Sequence, residues 1–152
     1  MTTPSTAPAT ERARTPTQQG SLLSALWVFV TLNYLYCDII TVMDPEIFKD
    51  LATAHMGDLE VTQGFLLGAG ILVEIPIAMT ILSRVLHGAA RRWSNVAAGG
   101  IMTIVQLVTL FVGTPTPYYV FFSVIEIAST AWIAWYAWSR LAGSPEPAMV
   151  RG

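Results

Sequence analysis

Three carboxyl groups and one carboxamide sit where the chain otherwise carries hydrocarbon. Asp38, Glu74, Gln106 and Glu126 each fall inside a long run that contains no Lys or Arg. Ionisable groups at such positions are costly to keep and are functional sites by default. Burying an ionised carboxylate without a partner is prohibitive, so at least two of the three acids must be neutralised by a proton, a bound cation or a water-filled cavity.

The residues at helical spacing around these four are polar or small. Ser123, Ser129 and Thr130 flank Glu126, and Thr103 and Thr109 flank Gln106, with Gly99 and Gly113 one further turn away. Asp38 has Tyr34 and Thr41 beside it, with Asn33 close by, and Glu74 has Gly70 and Ala78. Stripes of this kind are expensive to turn toward lipid, which predicts that all four converge on one cavity. Pro76 lacks a backbone donor and obstructs the carbonyl of Leu72, so a kink is expected at the depth of Glu74. Gly64 and Gly68 form a GxxxG pattern that, with Gly70, reads as a helix-packing surface for this chain or a second subunit.

The elements that position these residues are legible from length and charge. Of 152 residues, eight are basic and ten acidic, while 53% are hydrophobic. Four runs free of Lys and Arg cover about 22 to 43, 62 to 83, 93 to 113 and 118 to 139. At 1.5 Å per residue each spans roughly 32 Å, enough for a hydrocarbon core of about 30 Å. The expected fold is all-α, an up-down bundle of four transmembrane helices over residues 21 to 141. Residues 1 to 20 and 142 to 152, rich in Thr, Pro, Ala, Ser and Gly, are expected to be disordered tails.

Seven of the eight basic residues lie on the side shared by the two termini and the loop near residues 84 to 92, and only Lys49 lies opposite. The positive-inside rule therefore places both termini in the cytoplasm. Trp27, Trp93, Trp135 and Trp138 are expected at that inner boundary, and Tyr118 and Tyr119 at the outer one. Counted from the outer boundary, Asp38 is about 8 Å deep, Gln106 about 10 Å, Glu126 about 12 Å and Glu74 about 18 Å. The outer loop predicts a short helix capped by Asp44, with Pro45 in its first turn and Ile47, Phe48 and Leu51 on one face.

Several functions are excluded or weakened. A net charge of −2 without a large basic cluster argues against nucleic acid as a partner, and one cysteine, Cys37, cannot make a disulfide scaffold. There is no phosphate loop, CxxC, HExxH or nucleophile elbow, and no cofactor is implied. His55 with Asp44, Glu46, Asp50 and Asp58 matches no metal-ligand spacing and reads as a solvated acidic loop, so no metal site is expected. His87, beside Arg84, Arg91 and Arg92, most simply faces lipid headgroups.

The strings LNYLYCDIITVMDP (32–45), EIPIAMTILSR (74–84) and FFSVIEIASTAWIAWYAW (121–138) resemble a family of small bacterial four-helix membrane proteins without an assigned function. The resemblance covers roughly residues 22 to 140. It implies an integral protein of the bacterial inner membrane and carries no substrate or catalytic residue with it. The layout is also similar to that of the DoxX-like four-helix proteins.

Three functions compete. The first is a proton- or cation-coupled site for a small solute, built on the four polar residues and requiring a homodimer or larger complex to enclose a pathway. The second is an enzyme for a lipid-soluble substrate, with a carboxylate acid/base pair and Trp132 in the cavity wall. The third is an accessory subunit docked through Gly64 and Gly68. A packing role, with neutral Glu and Gln as interhelical hydrogen-bond donors, stands against all three.

Overall fold

A computed structural model describes residues 15–56, 59–111 and 115–141. Most of residues 1 to 20 and all of 142 to 152, expected to be disordered tails, lie outside the described residues, as do Gly113 and Asp58.

Four helices are long and apolar enough to cross a membrane: α1 (Pro16–Met43), α3 (Gln63–Val85), α4 (Gly88–Leu110) and α5 (Pro117–Arg140). A short helix, α2 (Pro45–Ala52), and a two-residue antiparallel pairing of β1 (His55–Met56) with β2 (Leu59–Glu60) join α1 to α3. The fold is an all-α membrane bundle. Each long helix packs on two others, α1 on α3 and α5, and α4 on α3 and α5, so the four form an up-down ring.

Helix α1 begins six residues before its apolar run, and residues 16–20, expected in a tail, are helical. The cause is local. Thr15 accepts from the backbone of Gln18, the Gln18 side chain accepts in return from the Thr15 N–H, and Pro16 occupies the first turn. Asp44 ends α1 and caps α2 through Glu46 N–H, as its sequence predicts. Between α3 and α4 the chain turns at Gly88, whose φ of 54° suits a residue without Cβ.

The apolar core gathers Leu23, Trp27, Val30, Met79, Ala98, Met102, Ile133, Tyr136 and Leu141 in the half of the bundle nearer the two termini. Helix α3 contributes no buried residue before Pro76, so its first half stands clear of the core. Large apolar side chains such as Ile71, Ile81, Ile104, Val108, Phe121 and Val124 cover the outside, the surface a bilayer requires.

Two close approaches fix the packing. A Cβ at Gly99 would lie 2.8 Å from the Thr130 carbonyl oxygen, and one at Gly20 would lie 2.9 Å from that of Ser83. The glycines expected to mediate packing behave differently: among the described residues Gly68 and Gly70 have nothing within 4 Å of an added Cβ, and Gly64 meets only Thr62, the N-cap of its own helix, at 3.8 Å. Their expected packing role is therefore not one within this chain. Trp27 corrects a second expectation. It is fully buried in the bundle rather than on the lipid-facing surface of an aromatic belt, because an acceptor waits for its indole N–H inside the bundle. Trp93, Trp135 and Trp138 remain exposed near the terminal end.

Candidate functional site

The cluster is built by α1, α4 and α5. Along α5, Ser123, Glu126 and Thr130 recur at spacings of three and four and all are buried. Along α4, Gly99, Met102 and Gln106 form the facing stripe, with Thr103 half-buried beside it. The absent side chain at Gly99 lets α4 and α5 approach, and this brings their polar stripes into contact.

Most groups in the stripes find partners. Gln106 Nε2 donates to Ser123 Oγ at 2.8 Å. Thr103 Oγ1 and Thr130 Oγ1 are 2.8 Å apart and bind the carbonyls of Gly99 and Glu126 respectively. Thr109 and Ser129 are half-buried and turn back to the carbonyls of Gln106 and Ile125 on their own helices.

Glu126 is the exception. It is 1% exposed, and among the described residues neither carboxyl oxygen has a hydrogen-bond partner. From α1, the Tyr34 hydroxyl is also buried and unpartnered. Tyr34, Cys37 and Asp38 all lie within electrostatic range of Glu126, as does Tyr119, which sits against Thr109 and Gln106. Asp38 itself is exposed while its neighbour Cys37 is buried, so Asp38 stands at the edge of the cluster. Asn33 lies elsewhere on α1. Its Nδ2 donates to the Phe29 carbonyl, and it lines a lipid-facing groove of about 350 Å³ with Phe29, Leu32, Tyr36 and Phe122.

The structure does not bring Glu74 to the others. Pro76 faces the bundle and is buried, and two residues along a helix turn the side chain by about 200°. Glu74 is thus exposed on the opposite side of α3, together with Gly70. Small neighbours on α3 mark its outward face, not an inward stripe. Trp132, expected in the cavity wall of an enzyme, is 53% exposed and lies outside the cluster.

A second buried polar network at the terminal end escaped the sequence reading. Asn95 Oδ1 accepts from Trp27 Nε1 at 2.8 Å and from Ser83 Oγ at 3.0 Å, while its Nδ2 donates to the Arg91 carbonyl at 2.9 Å. Ser24 Oγ donates to the Thr80 carbonyl at 2.6 Å. The signal was present: Asn95, Gly99, Met102 and Gln106 are spaced by three and four and continue one stripe along α4.

Chemically, the cluster around Glu126 offers a carboxylate without a donor among the described residues, a second carboxylate at its rim, and hydroxyl and amide groups around it. Among the described residues no group of three or more His, Cys, Asp or Glu could hold a metal ion.

The profile of a family of unknown function, DUF6326, matches residues 14–142, and the chain belongs to that family. Comparison with curated proteins and with solved structures finds no match. The likeness in layout to the DoxX-like proteins gains no support from these comparisons.

Proposed function

We propose that this DUF6326 member holds an exchangeable proton or small cation at Glu126 and couples it to the binding or transport of a small solute. The observation that carries the reading is the Glu126 carboxyl, only 1% exposed and without a hydrogen-bond donor among the described residues. A group used only for packing would be expected to have found a hydrogen-bond partner, as Gln106 did in Ser123. Uncompensated, an anion there is prohibitively costly, so a positive charge must accompany it.

Asp38 supplies the approach. Its carboxylate is exposed on α1 and within charge range of Glu126, an arrangement that suits passing a cation or proton inward from the rim. Two acids with hydroxyls suit a proton, a monovalent ion or an organic cation better than a calcium ion, which takes about six to eight oxygen ligands. Glu74 has no part in this site. Its exposed face, with Gly68 and Gly70, supports a role for α3 in meeting a second copy, which a four-helix chain needs to enclose a pathway.

The setting belongs to the same proposal: a bacterial inner membrane, with both termini cytoplasmic, on the strength of the basic residues gathered at the terminal end. A cysteine placed in the 44–61 loop should react with an impermeant reagent from outside, and labelling only from the cytoplasm would reverse the orientation.

The groove on α1 and α5 favours one second reading, an enzyme for a lipid-soluble substrate. It opens to lipid, and its Phe122 lies one turn from Glu126.

Proton release discriminates between the readings. Detergent-solubilised protein, screened against monovalent, divalent and organic cations, should release protons with at least one class, and Glu126→Gln should abolish the release. Identical release by wild type and variant for every cation would refute the coupled site.

A further inference from the structure

Among the described residues, the terminal end of the bundle carries positive charge with no acidic partner. Arg91 is 4% exposed, yet every acidic residue among the described residues lies at the opposite end or within the spans. Among the described residues its guanidinium is held by carbonyls alone: Nε donates to Leu86 and Nη1 to Pro16, each at 2.6 Å. Carbonyl dipoles orient the fork but leave its full positive charge, and the remaining N–H donors are free for another acceptor. A buried charge of this kind calls for a counter-ion.

The place for that ion is formed already. Arg91 lines a pocket of about 350 Å³ together with Arg84, His87, Thr17, Ser21 and Pro16. Two helices begin beside it. Helix α1 starts at Pro16, and α4 starts at Gly88, where the His87 side chain does not cap the first-turn N–H groups. Both helix N-termini add to the positive potential of the two arginines, while the C-terminal end of α3, whose Leu86 carbonyl Arg91 already binds, sets one negative pole against them. The volume falls in the range of small-ligand sites, and the fork geometry of Arg suits the oxygens of a tetrahedral phosphate.

We propose that this pocket binds a phosphate group, carried by an anionic lipid headgroup or as free phosphate. It lies where three spanning helices start or end, the level of the headgroup layer. Arg91 orients the phosphate from the pocket wall, while exposed Arg84 and His87 close on it from the rim. The bound phosphate ties α1 to the α3–α4 turn.

The test uses the full-length chain, delipidated in a neutral detergent, and calorimetric titration with three probes: dihexanoyl-phosphatidylglycerol, dihexanoylglycerol and inorganic phosphate. Arg84→Gln/His87→Gln removes two exposed rim groups, and its unliganded melting temperature should match wild type. Arg140→Gln removes a basic residue on the same end but outside the pocket. Saturable binding of the phosphatidylglycerol, weakened at least about tenfold by the double variant and less than about twofold by Arg140→Gln, is the expected result for a headgroup. The same pattern with inorganic phosphate, and none with the lipid, assigns the site to free phosphate. Binding unaffected by the double variant, equal loss in Arg140→Gln, equal binding of uncharged dihexanoylglycerol, or no saturable binding of any probe overturns the proposal.

Discussion

The bundle contains two buried polar regions that differ in one respect. Around Asn95, at the terminal end, the Trp27 indole, the Ser83 hydroxyl and the Asn95 amide partner one another and the Arg91 carbonyl. Around Glu126, toward the other end, burial is as deep but the carboxyl oxygens have none. A satisfied network holds helices in register, and its groups have nothing left to offer a ligand. A buried acid without hydrogen bonds is destabilising unless a proton or a cation accompanies it. Burial therefore does not separate packing from function here, whereas hydrogen-bond completion does.

Opposite responses to similar substitutions would sharpen that contrast. Asn95→Leu should have the largest effect, a loss of about 2–3 kcal/mol in unfolding measured in mixed micelles, because Trp27 and Ser83 lose their acceptor together. Gly99→Ala should follow at about 1–2 kcal/mol, since the new methyl carbon meets the Thr130 carbonyl at 2.8 Å and must push α5 away. Glu126→Met should move stability the other way, by about 1 kcal/mol, because no hydrogen bond is lost and a polar group leaves the interior. A loss as large as that of Asn95→Leu would break the distinction. Tyr34→Phe should be the mildest, within about 0.5 kcal/mol, while weakening cation-dependent proton release.

Much of this was readable in the sequence. Run length and the confinement of Lys and Arg to the run ends gave all four spanning helices, and Asp44-Pro45 gave the start of α2. Glu126 and Gln106 were identified as inward-facing because their neighbours at three and four residues are themselves polar. Glu74 misled because glycine and alanine suit an outward face as well as an inward one, and only the burial of Pro76 decides which way α3 turns. Trp27 and Asn95 were missed through their place near the ends of apolar runs, where an aromatic belt and a solvated amide are the ordinary expectations. The start of α1 was hidden by polar residues whose value lies in capping rather than burial.

The most direct measurement is the infrared signature of the Glu126 carboxyl itself, recorded as a difference spectrum on adding the cation that releases protons. The carbonyl stretch of a protonated carboxylic acid should disappear and carboxylate bands should appear. That change should be absent in Glu126→Gln and retained in Glu74→Gln, whose substituted side chain lies on the outer face of α3. A carboxylic-acid band that no cation alters, or a response that survives in Glu126→Gln, would contradict the account and leave Glu126 as a buried packing group.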